Sequence, residues 1–205
     1  MLQQQYKTDE HGKEILLQDN KHQVMMEWEK SFMESCIDGL QPTGDVLEIG
    51  FGLGYSAIHI QKYKPKSHTI IEMDPLVIKR LKKWARNYDN IIIVEGTWQE
   101  KIQGLGTFDE IFFDDYPLKK PENNLEKKII GDRFMMFLDI CRYSHSKPNT
   151  KFSAYTHDPE GTFKKRMEEN PYYSYKEYFF DIDIPDNCNY YRDNKGIIPI
   201  IKMVN

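Results

Sequence analysis

Asp45-Val-Leu-Glu-Ile-Gly-Phe-Gly-Leu-Gly54 is the stretch whose reading decides the fold. Val46, Leu47 and Ile49 supply the apolar run of a buried parallel strand, which runs straight into Gly50, Gly52 and Gly54. Glycines at that point permit a tight turn and close approach of backbone to a ligand. A helix is predicted from Tyr55 to about Tyr63, with Ala57, Ile58 and Ile60 facing inward. Strand, glycine turn and helix in that order suit a nucleotide or nucleoside at the carboxyl edge of a sheet.

A dinucleotide fingerprint places its third glycine three residues after the second. Here that position is Tyr55, and Gly54 comes one residue early. Gly-x-Gly-x-Gly after an acidic strand (Glu48) instead resembles the pattern of S-adenosylmethionine-dependent methyltransferases. The next strand, His68 to Met73, carries Glu72 roughly twenty residues past the glycines, where a carboxylate can accept from two ribose hydroxyls.

A chain of 205 residues is expected to form one domain with a full α/β core. A formal net charge of -4 without a basic stripe gives no sign of a nucleic-acid surface. Lys62 to Lys66 and Lys79 to Lys83 are interleaved with apolar residues and read as solvated helix faces. Cys36, Cys141 and Cys188 are far apart, which fits neither a zinc site nor a disulfide framework and suggests a reducing compartment. Six scattered histidines offer no metal pairing. The sequence shows neither an apolar run of membrane-spanning length nor a signal-peptide core, so a cytoplasmic protein without membrane partners is expected.

Residues Met1 to about Lys21 are polar and lack apolar periodicity, and are predicted as a flexible tail or lid before a single domain over 22–205. From Val24, helical spacing links Val24, Met25, Trp28, Phe32 and Cys36, with Met33 beside them. Glu29 lies among Met25, Met26 and Met33, where a carboxylate is either a wet surface group or a paired, functional one. After Glu72-Met-Asp-Pro75, a helix is predicted with Leu76, Ile78, Leu81 and Trp84 inward, then a third buried strand from Asn90 to Glu95. Trp98 follows it, placed to cover an adenine face or to fill the core.

The fourth strand, Phe108 to Asp115, leads into Tyr116-Pro-Leu118. A long helix is predicted from Leu125 to about Tyr143, with Ile129, Ile130, Phe134, Phe137, Leu138 and Cys141 inward. A fifth strand (Thr150 to Thr156), a short helix (Pro159 to Glu169) and two strands (Tyr175 to about Ile184, Gly196 to Met203) complete the chain. Pro199 argues that the last strand is an edge or carries a bulge. The alternation implies a mostly parallel sheet with one antiparallel strand.

Glu29 and Asp114 are the candidate chemical groups. Two carboxylates are poor neighbours unless a cation sits between them, and a guanidinium, whose planar fork pairs bidentately with carboxylates, is the natural guest. One carboxylate could then take the proton released when a guanidino nitrogen accepts a methyl group. Trp28 and Tyr116 could stack on the cation.

Val24-Met-Met-Glu-Trp-Glu29, Leu47-Glu-Ile-Gly-Phe-Gly52, Ile70-Ile-Glu72, Gly96-Thr-Trp98, Asp114-Asp-Tyr-Pro-Leu118 and Cys188-Asn-Tyr-Tyr191 occur in this order. Together they look like the guanidinoacetate N-methyltransferase family. The resemblance implies a Rossmann-like α/β fold of class I methyltransferases: a mostly parallel seven-stranded sheet with helices on both faces. It also implies S-adenosyl-L-methionine as cofactor, with S-adenosyl-L-homocysteine as product. Glu29, Asp114 and Tyr116 would be catalytic. Met25, Met33, Glu48, Gly50, Phe51, Gly52, Leu53, Gly54, Tyr55, Ser56, Glu72, Met73, Asp74, Trp98, Gln99 and Asp114 would hold the cofactor. Glu29 and Asp114 would clamp a small guanidino substrate, guanidinoacetate first, yielding creatine.

The family binds the substrate carboxylate through an Asn-Leu-Thr segment. Thr156-His-Asp158 stands there in this chain, which makes His157 and Asp158 the substrate-binding candidates. An inward Asp158 would oppose a substrate carboxylate. The loop between Leu118 and Lys147 is also longer than the family's. Val24 to Glu29 equally resembles methyltransferases acting on the δ-nitrogen of protein arginine. Arginine, free or in a protein, is therefore the alternative substrate, and a non-catalytic nucleoside-binding module the further one. The sequence leaves the oligomeric state open.

Overall fold

The computed structural model describes residues 4–115, 124–156, 158 and 161–204. The chain opens with a meander of three antiparallel strands, β1 (Gln4–Thr8), β2 (Glu14–Gln18) and β3 (His22–Met26). A 3-10 turn (Glu27–Glu29) leads into α1 (Lys30–Leu40). Then β4 (Asp45–Ile49), α2 (Tyr55–Lys62), β5 (Ser67–Glu72), α3 (Pro75–Ala85) and β6 (Ile91–Glu95) alternate. The short α4 (Trp98–Lys101), β7 (Phe108–Phe113), α5 (Asn124–Ser144), β8 (Ser146–Ala154) and α6 (Thr162–Glu168) continue the pattern. Strands β9 (Tyr173–Asp181) and β10 (Lys195–Met203) complete the fold.

The strands from β4 onward form one sheet in the order β6-β5-β4-β7-β8-β10-β9. Strands β4 to β8 are parallel, and β10 runs antiparallel to both its neighbours. Adjacent residues of one strand enter different cores: Val46, Ile70 and Phe112 pack on one face, Leu47, Ile71 and Phe113 on the other. That alternation is what a sheet covered by helices on both sides requires. The strand order reverses between β4 and β7, which opens a crevice at their carboxyl ends.

The amino-terminal stretch departs from the expected flexible tail. Ile15 and Leu16 are buried, and the strands are joined by turns that the sequence does carry. Asp9 Oδ1 accepts from the backbone N–H groups of His11 and Lys13. Asp19 and Asn20 both take positive φ, the geometry of a two-residue hairpin turn, and Lys21 N–H donates to Gln18 O at 3.1 Å. Glutamine-rich strands hide the apolar alternation. The helix predicted from Val24 begins only after Met26, because Met25 and Met26 pair with Leu16 and Ile15.

Smaller differences have similarly local causes. Ile58 and Leu76, expected inward, are exposed, while Ser56 and Val77 take the buried positions. Strand β6, expected to be fully buried, is the sheet's edge, so Ile92 faces solvent. Strand β10 is internal rather than an edge. It accommodates Pro199, which has no N–H to donate, by pairing with β8 only on either side of it, at Ile197 and at Ile201 to Lys202. In α5, Phe137, Leu138 and Cys141 are buried and Phe134 is half-buried, whereas the side chains of Ile129 and Ile130 lie outside the described residues. Among the described residues no helix is long and apolar enough to cross a membrane.

Candidate active site

The carboxyl ends of β4, β5, β6 and β7 surround a cavity of about 350 Å³, roofed by Leu16, Val24 and Met25 of the meander. The glycine turn forms its floor. Gly50 has φ +83°, and a Cβ there would strike the carbonyl oxygen of Asp114, so the turn and the end of β7 can approach only without a side chain. Gly52, at φ +51°, faces the Met25 sulfur, which a Cβ would meet. Met25 Sδ also accepts from Leu53 N–H at 3.3 Å, and Tyr6 O–H donates to Gly52 O at 2.9 Å. The meander is thus fastened to the glycine turn.

Glu72 ends β5 at the next position in the sheet. Its Oε1 accepts from the N–H groups of Met73 (2.7 Å) and Asp74 (2.9 Å), and its Oε2 from Phe51 N–H (2.9 Å). Burial raises this carboxyl above its usual range, and the three amides pull it back. Three of its roughly four lone-pair sites are engaged, which leaves one on Oε2 for a further donor. Trp98 fills the core, packing against Phe113 and Phe137 with ring centroids 5.9 and 5.3 Å away, and it also lines the cavity. Its Nε1–H donates to Asp115 Oδ2 at 2.8 Å, an oxygen that also sits 3.0 Å from Arg133 Nε.

Glu29 and Asp114 reach the same cavity from distant parts of the chain. Glu29 is 2 % exposed. Its Oε1 accepts from Met26 N–H at 2.8 Å and from Tyr190 O–H. The first contact closes the turn between β3 and α1, which explains why a carboxylate occupies this otherwise apolar stretch. Burial lifts its carboxyl to about 7, against the pull of Tyr190, Met26 and Tyr155. Asp114 is raised well above the usual carboxylate range, first by burial and then by the charges of Glu29, Glu48, Asp115 and Glu72. Without a cation the two acids compete for protons; a guanidinium between them would relieve both.

Of the cofactor residues expected from sequence, Met25, Gly50, Gly52, Glu72, Met73, Trp98, Gln99 and Asp114 line this cavity. Met33 is instead sealed in the core. Glu48 is fully buried with its Oε2 2.9 Å from His68 Nε2. The expectation that it contacts the cofactor is corrected: it faces the neighbouring strand and reaches the site only as background negative charge. Phe51 packs against Trp84 and contributes its N–H to Glu72, Leu53 is core, and Gly54 receives the Phe51 ring. Tyr55 packs on the core at the start of α2, where Ser56 is buried. Asp74 caps α3, its Oδ1 accepting from Leu76 N–H at 2.8 Å.

Asp158 is occupied by Lys164 N–H at the start of α6, 3.0 Å away, and is not among the residues lining the cavity. Trp28 is not among the residues lining the cavity, and its ring packs at a tilt against Tyr190 and Tyr191. Tyr116 and His157 lie outside the described residues.

Sequence reasoning missed two tyrosines at the end of the cavity that Glu29 occupies. Tyr190 and Tyr155 both line the cavity. Tyr190 could have been found within Cys188-Asn-Tyr-Tyr191, a run already notable. Burial and the Glu29 charge hold its phenol far above its ordinary range, so it stays protonated and donates to Glu29. No sequence signal marks Tyr155, which simply ends a hydrophobic strand.

Comparison with known proteins agrees with this geometry. Spermidine synthase from Thermotoga maritima superposes with a TM-score of 0.69 at 18% identity, over 100% of this chain and 70% of that one. N-methyltransferase NodS from Bradyrhizobium japonicum gives 0.63 at 12% identity, over 87% and 97%. Likenesses at this identity define the fold alone, Rossmann-like and of the class I methyltransferase type. Among curated sequences, protein arginine N-methyltransferase 2 of Candida glabrata is 38% identical over 107 residues, which is 49% of this chain and 26% of that protein. Its Saccharomyces cerevisiae counterpart is 36% identical over 118 residues, 54% and 27% of the respective chains. The match therefore spans about a quarter of the length of these relatives. The family model described as Guanidinoacetate N-methyltransferase matches residues 3–131, from the meander through the glycine turn and Asp114 into α5. S-adenosyl-L-methionine is the cofactor that this family and fold imply, and the glycine cradle, Glu72 and Trp98 suit it. A match of that extent settles the kinship: the chain belongs to the guanidinoacetate N-methyltransferase family.

Proposed function

We propose that the protein is an S-adenosyl-L-methionine-dependent N-methyltransferase acting on a guanidino group, with guanidinoacetate as its first candidate substrate. The observation that carries this is the pairing of Glu29 and Asp114 across one cavity beside the glycine cradle, each with its carboxyl raised by burial. A pair so placed gains from a planar cation and has little use otherwise.

In this reading Gly50, Gly52, Glu72 and Trp98 hold the cofactor, which supplies a methyl group on an electron-poor sulfur. Glu29, fixed by Tyr190 and Met26, anchors the guanidinium. Asp114, which lies where the sheet reverses, would turn one nitrogen toward the methyl. The proton that the guanidino nitrogen loses on accepting this electrophilic methyl group would pass to an Asp114 oxygen. Its raised carboxyl makes it a better base than an ordinary aspartate. The meander shields the reaction from water, and this reading makes the stretch 1–21 a lid over a catalytic domain spanning 22–205. Deleting residues 1–21 with unchanged turnover would remove that part.

Arginine is the second reading, favoured by the curated relatives being named protein arginine N-methyltransferase 2. A labelled-methyl transfer assay with guanidinoacetate, free arginine and an arginine peptide tests both. Transfer to guanidinoacetate supports the first and transfer to the peptide the second. Absence of transfer to any of them, with S-adenosylhomocysteine bound normally in calorimetry, would leave only a nucleoside-binding module.

A further inference from the structure

We propose that Tyr155 is a substrate-binding residue, its hydroxyl oxygen receiving an N–H of the guanidino group that Glu29 and Asp114 hold. The inference rests on the guanidino reading above and adds to it a third contact, of neutral chemistry.

Tyr155 follows β8 directly, and its backbone N–H donates to Phe113 O at 3.1 Å. That bond places it one strand across from Asp114, at the same edge of the sheet. Its ring packs against Phe32 and Tyr191, with centroids 5.3 and 6.2 Å away, so the side chain has little freedom to swing. The residue lines the cavity; its buried hydroxyl stands near enough to Glu29 to give it the O–H, and no donor among the described residues reaches the oxygen itself. Buried polar atoms are nearly always satisfied, and an oxygen beside a cavity that lacks a donor marks where a small shift would let a ligand N–H be received.

The neighbours indicate which kind of atom. Both Glu29 and Asp114 lie close enough for their charges to act on this phenol, and burial keeps it protonated and neutral. A phenol oxygen accepts as well as donates. A monosubstituted guanidinium carries five N–H donors, of which two bidentate carboxylates engage at most four. A neutral acceptor for the remaining donor fixes the rotation of the plane without adding negative charge to a site that already holds two acids. The class of ligand is therefore a guanidinium with at least one free N–H beyond those the carboxylates use.

The substitution Tyr155→Phe removes only the oxygen and keeps the ring between Phe32 and Tyr191. Steady-state kinetics would be measured with guanidinoacetate and with an arginine peptide, using whichever the unmodified protein methylates, alongside calorimetry with S-adenosylhomocysteine. The expected result is a KM for the guanidino substrate raised about tenfold or more, with S-adenosylhomocysteine affinity within about twofold of the parent. An unchanged KM would overturn the proposal. So would a shifted pH profile at unchanged KM, since the hydroxyl would then serve Glu29 and not the substrate. If the parent methylates no guanidino compound, the underlying reading falls and this one with it; an active parent with an unaffected Tyr155→Phe variant sinks this inference alone.

Discussion

The two ends of the cleft are made of different material. The end proposed to take the nucleoside is mostly backbone: two left-handed glycines, and a carboxylate that accepts from three loop amides, all within residues that the family match covers. The end proposed to take the guanidino group is side chain. Glu29, Asp114, Tyr155 and Tyr190 come from four separate segments, and the last two lie beyond residue 131, where the match stops. A backbone site can be disturbed only by changing the shape of the chain. A side-chain site can be retuned one residue at a time, which is how one fold can serve different guanidino compounds.

The sharpest way to break this division is Asp114→Ala. Loss of the proton acceptor should lower kcat about 10²- to 10⁴-fold while S-adenosylhomocysteine affinity changes less than about tenfold. Parallel collapse of cofactor affinity in calorimetry would show that the ends are not separable. Glu29→Gln comes next, with turnover reduced about 100-fold and a changed pH profile. Glu29 must be ionised to hold a cation, so activity of the parent should rise with pH through about 7, and that limb should vanish in the variant.

The same residue makes a stability prediction of opposite sense. Its carboxyl is higher in the folded state, about 7, than its ordinary 4.5, so the folded protein holds a proton that the unfolded chain releases. Without ligand, stability should therefore fall as pH rises between those two values. Melting curves at pH 5 and 7.5 should show the drop in the parent and a smaller one in Glu29→Gln.

On the backbone side, Gly52→Val forces a β-branched residue to positive φ and into the Met25 sulfur. Cofactor affinity should fall about tenfold or more. Methyl transfer at saturating cofactor, where the variant can be saturated, should remain within about fivefold of the parent. Glu14→Gln should do least. Glu14 pairs bidentately with Arg80 at 2.5 and 3.0 Å, but both side chains are about a third exposed, so about 1 kcal/mol or less is expected in denaturant unfolding.

What could be read from sequence follows the same division. The glycines, the strand before them and Glu72 form a local pattern with fixed spacing, and the parallel sheet with its single reversed strand follows from alternation. Glu29 and Asp114 stood out because acids are rare beside methionines and at the end of an apolar strand. Glu48 reads from sequence as a cofactor residue beside the glycines, yet a strand sends successive side chains to opposite faces, and its own turns to His68 on the next strand. The meander was illegible for lack of apolar contrast: Gln4, Gln5, Gln18 and Gln23 occupy strand positions. Tyr155 became visible only once β8 was laid beside β7, a juxtaposition that no window of sequence contains.

The bond from Tyr6 to the carbonyl of Gly52, with the Met25 sulfur against Leu53, has a thermodynamic corollary. A molecule resting in the glycine cradle shares a wall with residues 4–26, so each must sense whether the other is in place. By reciprocity, whatever protein or ligand stiffens the meander from outside tightens the grip on the nucleoside by the same factor, and occupancy of the cradle slows amide exchange along the first three strands.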